Sequence, residues 1–375
     1  MLYRAFGKTG IQISSLGFGA MRLPKRMDGN REVFDHDLSI TLLRKGIDAG
    51  INYLDTAPFY CEAESEIILG KALSEGYRDR VYLSTKLPGE DHGYDAARKR
   101  LEASLERLQT DHIDFYHLWG ISWKRFETET QPEGQIRMVL KAIEEGLVRH
   151  LSFSFHDEPK NMQKLIDTGL FSSVLCQYNL LDRTNEESIA YAYSKGLGVV
   201  VMGPLGGGRL GAPSPVVQAL LPGKPISSPE IALRFVLSNP YVSCALSGMG
   251  SHAMIDENIH IASNPKTLTD EEKELVARSM DENKALAQLY CTGCNYCMPC
   301  PAEVNIPLNF ELMNYHRVYQ LTNHARQQYK QIGVNPWMKG KKADACIECG
   351  ACEEKCPQHI QIRKQLKETA ETLGV

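Results

Sequence analysis

Along the first 260 residues, short apolar runs alternate with longer segments whose apolar positions recur every three or four residues. The runs are 16–20, 51–54, 81–85, 113–118, 148–155, 174–178, 199–202 and 242–247. Each has the length of a strand and is apolar without strict alternation, as in a strand covered on both faces. The segments between them are 38–49, 64–73, 94–108, 133–145, 159–168, 185–195, 229–238 and 253–263, and they have helical periodicity. Gly50, Gly146, Gly169 and Gly196 follow helical segments, where a left-handed C-terminal cap is needed. Strands alternating with helices predict parallel pairing, and eight such units close into a (β/α)8 TIM barrel. An open doubly wound sheet is the alternative, but no Gly-x-Gly-x-x-Gly follows the first run. Ahead of it, residues 2–6 and 11–14 flank Gly7-Lys-Thr-Gly10, which predicts a small hairpin.

Length extends this picture. The chain has 375 residues, more than a barrel of roughly 250 residues uses. The excess lies at the C-terminal end, so we divide the chain into a barrel over 1–285 and a second, mostly helical domain over 286–375. A hydrophobic content of 43% and a charged content of 23% suit a soluble globular enzyme. A net charge of −4 gives no global argument for nucleic acid or an anionic membrane as partner, and neither is expected. No apolar run approaches the roughly 20 residues of a membrane span, and no signal-peptide pattern opens the chain. A cytoplasmic location is expected. Of eleven cysteines, eight fall in two tight sets after residue 290, which without a secretory signal points to metal ligation. Cys176 and Cys244 are expected to be buried strand residues, and Cys61 to lie beside Tyr60.

The candidate chemistry lies where strands become loops. The second run ends at Asp55, with Tyr60 five residues on. The third ends Ser84-Thr-Lys86, and the fourth contains His117. Neighbouring strands lie about 4.8 Å apart, so these side chains can converge. A free tyrosine has a pKa near about 10. A lysine ammonium beside it favours the phenolate and is expected to lower that value. Asp55 can hold Lys86 charged and oriented, and His117 can donate to a carbonyl oxygen. Such a set suits protonation of an aldehyde or ketone during hydride addition. Singly, each residue has an ordinary structural role: a strand-end hydrogen bonder, a surface lysine, a helix cap. Their joint placement on three consecutive strands carries the argument.

Several stretches resemble the aldo-keto reductase family, in family order: Leu16-Gly-Phe-Gly-Ala-Met21, Asp55-Thr-Ala-Pro-Phe-Tyr60, Ser84-Thr-Lys86, Ser104-Leu-Glu-Arg-Leu108 and Asp111-His-Ile-Asp-Phe-Tyr-His117, then Gln177-Tyr-Asn179, Gly203-Pro-Leu205 and Glu257-Asn258. The resemblance implies Tyr60 as proton donor, Lys86 and Asp55 tuning it, and His117 orienting the carbonyl. It implies NAD(P)H held without a Rossmann fold, and a small carbonyl or alcohol substrate. By the same resemblance Ser154 and Gln177 meet the nicotinamide amide, and Met202 packs on the ring where many members have an aromatic residue. Phe155 departs from the family's usual Asn. Gly203, Leu205, Gly207, Gly248 and Ser251 are assigned to the phosphates, and Glu257 and Asn258 to the adenine end. Gly248 and Met254 stand where members specific for the 2′-phosphate carry cations, which favours NADH. Substrate choice is assigned to the loops 120–132 and 206–229, with Trp119, Trp123 and Phe126 as candidate pocket walls.

The second domain carries Cys291, Cys294, Cys297 and Cys300, then Cys346, Cys349, Cys352 and Cys356, each set followed by Pro. The later set has the bacterial ferredoxin spacing, and the earlier one differs only in its last interval. The domain resembles a two-cluster ferredoxin, which implies two 4Fe-4S clusters. In that pattern Cys291, Cys294 and Cys297 share a cluster with Cys356, and Cys346, Cys349 and Cys352 share one with Cys300. Two zinc sites are the alternative, but zinc gives no reason for the proline after each fourth cysteine. Between the sets, residues 308–331 are helix-like, and Arg317, Arg326, Lys330, Lys339, Lys341 and Lys342 form a basic stretch. It either offsets cluster charge or docks a redox partner such as a ferredoxin or flavoprotein. Two functional classes follow. One is a NAD(P)-dependent oxidoreductase with clusters for electron transfer or structure. The other is an iron–sulfur electron-transfer protein whose barrel is a docking module. A hydride carries two electrons and a cubane takes one, and no flavin fingerprint is present to couple them.

Overall fold

A computed structural model of the chain describes every residue apart from 30, 90–92, 212–213, 222–225, 265–267, 289–290, 292–294, 296 and 357–359, and every side chain apart from these and 207–209 and 283–288. The expected hairpin is present as Tyr3–Ala5 paired antiparallel with Gln12–Ser14. Eight strands then form a closed parallel barrel. They are β1 (Leu16–Gly19), β2 (Tyr53–Asp55), β3 (Tyr82–Leu87), β4 (Ile113–Leu118), β5 (Val148–Phe155), β6 (Ser173–Gln177), β7 (Gly198–Met202) and β8 (Cys244–Ser247). β8 pairs with β1, which closes the ring. All six residues of β4 are buried, including two polar ones, Asp114, which pairs with Arg78 and Arg149, and His117. The barrel interior is filled by Phe6, Ile13, Tyr53, Phe115, Leu175, Val200, Cys244 and Leu246. Cys176 and Cys244 are fully buried, as expected.

The helices between strands match the periodic segments closely; Tyr94–Leu108 has the bounds expected. Two elements differ. Lys25–Asp28 and Arg31–Phe34 form a second hairpin. Every residue of its first strand is exposed, so no apolar pattern marks it. The loop after β4 contains a helix, Trp123–Glu129, capped by the Ser122 hydroxyl accepting from Arg125 N.

The described chain falls into two compact units, Met1–Gly206 with Ala232–Leu268, and Gly207–Ile231 with Thr269–Val375. In the second unit the helix Asp270–Gln288 opens on a capping box. Glu272 N donates to Thr269 Oγ1, and Thr269 N donates to Glu272 Oε2. The segment 308–331 is two helices, Ile306–Arg317 and Thr322–Gln331. A last helix, Ile362–Leu373, buries Ile362, Leu366, Thr369 and Leu373 on one face. Most of the basic stretch serves inside this unit. Arg317 pairs with Glu368 at 2.5 Å, Arg326 Nε donates to Thr372 O, Lys341 pairs with Glu303 at 2.7 Å, and Lys342 lies over the Tyr329 ring.

Candidate active site and cysteine sets

The strand-end residues converge. Asp55 ends β2, Lys86 lies near the end of β3 and His117 near the end of β4. Register pairs Asp55 with Ser84, and Lys86 with His117. Lys86 and Asp55 are nearly fully buried, and His117 is fully buried. Lys86 Nζ donates to Asp55 Oδ1 at 2.6 Å and to the Thr56 carbonyl at 2.7 Å. It also sits 4.7 Å from the centre of the Tyr60 ring. Burial alone pulls the Lys86 pKa down, but the charge of Asp55, the Tyr60 oxygen and their hydrogen bonds raise it above the ordinary value. Lys86 is therefore an ammonium, clamped against Tyr60.

The electrostatics of Tyr60 differ from expectation. Burial raises its pKa, Lys86 pulls it back, and Asp55 pushes it up again, for a net rise. Sequence supplies the lysine but not the desolvation, and desolvation is the larger effect. Tyr60 is thus a neutral phenol across the physiological range, with its proton in place. His117 is shifted down to about 4, by burial first and then by Lys86, with Asp55 and the Phe153 carbonyl opposing. It is a neutral imidazole at pH 7. These directions fix a pH profile for carbonyl reduction. The rate should be flat across neutral pH, fall on the acid side only near about 4, where His117 gains a proton, and fall on the basic side only above the ordinary tyrosine value of about 10. An acid limb near 6.5 in the kcat profile would contradict the His117 environment.

Three consecutive residues after Tyr60 are left-handed: Cys61 at φ 53°, Glu62 at 54° and Ala63 at 72°. None is glycine, so the turn carries strain of about 1 kcal/mol or more per residue. Surrounding contacts hold it. Ser65 N donates to the Tyr60 carbonyl, the buried Cys61 thiol to the Ala20 carbonyl, Lys25 pairs with Glu62, and His36 with Glu64. Ala63→Gly should raise barrel stability by about 1 kcal/mol, read as a higher denaturation midpoint.

Trp119 meets the Tyr60 ring edge-on at 5.7 Å and Phe59 at 5.9 Å, so it belongs to the site. Trp123 and Phe126 stack on each other, and Phe126 packs on Phe171. Tyr53 and Ser84 were not singled out from sequence. Tyr53 OH lies 3.5 Å from His117 Nε2, and Ser84 Oγ donates to Asp55 Oδ2 at 2.8 Å. The available signal was strand alternation, since each lies two residues before a tetrad member.

Of the residues assigned to the dinucleotide, Ser154, Gln177 and Met202 lie at the ends of β5, β6 and β7. Ser154 is buried near the end of β5, where its Oγ accepts from Gly120 N. Gln177 and Met202 end β6 and β7 as register partners, both half-buried. Gln177 Nε2 donates to Asp182 Oδ2. The Gly203 carbonyl accepts from Asn179, and Leu205 is buried beyond it. Gly207 falls in the 3-10 segment Gly206–Gly211 and belongs to the second unit. A Cβ on Gly248 would lie 3.6 Å from the Gly19 carbonyl, so the backbone there runs close to β1. Ser251 caps the helix His252–Ser263. Such an N-terminus, with its free N–H groups, favours phosphate. Asn258 is buried and donates to Ser247 Oγ, while Glu257 is exposed. Phe155 packs on Phe153.

In the second unit, Cys352 and Cys356 are buried, Cys291, Cys297, Cys300 and Cys346 are partly buried, and Cys349 is exposed; Cys294 lies outside the described residues. Burial pushes the Cys352 thiol up, and nearby Glu353, Cys346 and Cys300 push it the same way. Cys300 from the first set therefore lies within electrostatic reach of the second, as a crossing ligand must. Asn295, Glu348 and Gly350 have left-handed backbones, and Glu348 N donates to Cys346 Sγ. Left-handed turns and an N–H donated to a cysteine sulfur suit loops that hold thiolates around a cluster.

A closed barrel with a lysine–carboxylate pair, a phenol and an imidazole at its C-terminal strand ends is the architecture of a barrel oxidoreductase. Residues 15–279 match the model of the aldo/keto reductase family, and the chain belongs to that family. Residues 290–361 match the model of a 4Fe-4S dicluster domain. L-galactose dehydrogenase of Arabidopsis thaliana is 29% identical over 302 residues, covering 72% of this chain and 91% of the relative. The uncharacterized oxidoreductase YqkF of Bacillus subtilis is 27% identical over 306 residues, covering 72% of this chain and 94% of the relative. Among solved structures, the holo form of aldo-keto reductase AKR11C1 from Bacillus halodurans superposes with a TM-score of 0.64 at 26% identity, covering 74% of this chain and 96% of that one. No described helix is long and apolar enough to cross a membrane.

Proposed function

We propose that the protein is a NAD(P)-dependent carbonyl reductase, oxidising the corresponding alcohol in reverse, with Tyr60 as proton donor. The observation that carries this is the Lys86 ammonium, held by Asp55 at 2.6 Å and pressed against the Tyr60 ring at 4.7 Å. As the carbonyl carbon is reduced, negative charge grows on its oxygen. Tyr60 gives that oxygen its proton, and the phenolate left behind is stabilised by Lys86 until solvent reprotonates it. Neutral His117 donates to the same oxygen and aligns it. A bound reduced nicotinamide supplies the hydride. Ser154, Gln177 and Met202 would hold its ring end. Gly203, Leu205, Gly248 and Ser251 would hold its phosphates, and Glu257 its adenine end. Asn258 acts through Ser247, to which its amide is committed.

NADH is the proposed cofactor. The helix His252–Ser263 is reached by Lys45, but that ammonium is paired with Asp256 at 2.7 Å, and Met254 is exposed where a cation would serve a 2′-phosphate. Two 4Fe-4S clusters are proposed, one on Cys291, Cys294, Cys297 and Cys356, the other on Cys346, Cys349, Cys352 and Cys300. They staple the second unit. Exposed Cys349 gives the second cluster an edge at which a one-electron carrier, a ferredoxin or flavoprotein, exchanges electrons. The test is a carbonyl panel offered anaerobically with NADH and with NADPH to protein of known iron and sulfide content. Carbonyl-dependent NADH oxidation is expected. Neither nicotinamide being consumed with any aldehyde or ketone would defeat the reductase reading and leave the electron-transfer alternative.

A further inference from the structure

Side chains two apart on a strand share a face. Beneath Asp55, Lys86 and His117 therefore lie Tyr53, Ser84 and Phe115. This layer is the aromatic floor of the barrel, where Tyr53, Phe6 and Phe115 pack with ring centres 4.8 to 5.9 Å apart. A hydroxyl in such a floor needs a partner, because an unpaired buried one is costly. Tyr53 and Ser84 are both fully buried. Tyr53 OH lies 3.5 Å from His117 Nε2, Ser84 Oγ donates to Asp55 Oδ2 at 2.8 Å, and Ser84 is near enough to Tyr53 to pull its pKa down against the rise that burial causes.

The direction of each proton follows from what each group can do. Asp55, paired with Lys86, is a carboxylate and only accepts, so Ser84 gives it its proton. The Ser84 lone pairs are then open to the single proton of Tyr53. The Tyr53 oxygen is left as an acceptor, and it faces Nε2. A neutral imidazole carries one proton, and this order places it on Nε2, leaving Nδ1 as the lone pair. Nδ1 is buried and makes no hydrogen bond of normal geometry among the described residues, although the Phe153 carbonyl acts on the ring and is the competing acceptor.

We infer that Tyr53 and Ser84 are positioning residues that join His117 to the Asp55–Lys86 pair and keep the imidazole proton on Nε2. This rests on the reductase reading, in which His117 donates to the carbonyl. The Tyr53 contact is long for a hydrogen bond, so an arriving carbonyl oxygen takes over that N–H at little expense. The buried chain holds the tautomer ready and yields it to the substrate.

The experiment uses full-length, cluster-loaded protein labelled with ¹⁵N-histidine. Two-bond ¹H–¹⁵N correlations report which nitrogen carries the proton, and His117→Gln assigns the signal. His117 should be protonated on Nε2. Tyr53→Phe keeps the ring and should mix the two tautomers, lowering kcat about tenfold with little change in KM. Ser84→Ala should do the same, Ser84→Thr should restore both, and the double variant should be no worse than either single one. Should Tyr53→Phe fold poorly, the serine pair carries the same test. A native His117 protonated on Nδ1, toward the Phe153 carbonyl, would overturn the inference, as would unchanged tautomer and kcat in both single variants. The tautomer is read without turnover. A chain with normal tautomer but no Tyr60-dependent reduction would therefore defeat the functional reading and spare this one.

Discussion

Tyr60→Phe should lower carbonyl turnover by about a thousandfold, within the range a positioned general acid contributes, without a matching loss of nicotinamide affinity. The ring is kept, so its contacts with Trp119 and with Lys86 persist. What is lost is one proton at the place where charge develops. Because burial holds that phenol neutral, the native enzyme has the proton available at every physiological pH. The variant must protonate the product oxygen from water or His117, and the loss should appear in kcat and kcat/KM together. Steady-state kinetics with the best carbonyl of the panel check this. A loss below tenfold would mean that Tyr60 is not the donor.

The second large effect is expected in the cluster unit. Its core is small and includes the cysteines themselves, with Cys352 and Cys356 buried among Val304, Phe310, Tyr329 and Leu366. A unit of that kind depends on its inorganic cross-links, as structural metal domains do. Cys352→Ala should remove one cluster, taking the iron content from about eight to about four per chain, and should destabilise the helices around it. Cys300→Ala should give the same partial loss, because Cys300 is proposed as a ligand of one of the two clusters. Iron and sulfide analysis with circular dichroism measures both. Full iron retention in either variant would refute that cysteine as a cluster ligand.

Much of this was legible from sequence for a physical reason. Strands buried on both faces are mostly apolar, so runs such as 199–202 mark them, and the tetrad follows from where such runs end. The hairpin of Lys25–Asp28 and Arg31–Phe34 was not legible, since its first strand buries nothing and has no pattern to read. The helix Ile362–Leu373 carries a signal, its apolar positions four, four and three apart through Ile362, Leu366, Ala370 and Leu373. The segment 308–331 has helical periodicity on both sides of Val318, and periodicity alone does not show where one helix stops. The Tyr60 environment shows a different limit. A neighbouring lysine can be inferred from spacing, but burial is a property of the whole fold, and here it sets the sign of the shift. Tyr53 and Ser84 fall between these cases: alternation puts them in line, and only three dimensions show how near they lie to each other.

On the proposed mechanism, the barrel moves a hydride directly to a carbonyl carbon while the clusters stand apart from that step. That mechanism is tested most directly by reducing a carbonyl substrate with NADH deuterated at the transferred position and examining the product alcohol by mass spectrometry and NMR. One deuterium per molecule at the carbinol carbon, abolished along with turnover in Tyr60→Phe, is the expected result. Product carrying solvent hydrogen at that carbon, formed at a rate that falls with cluster content, would contradict it and place the chemistry on a one-electron route.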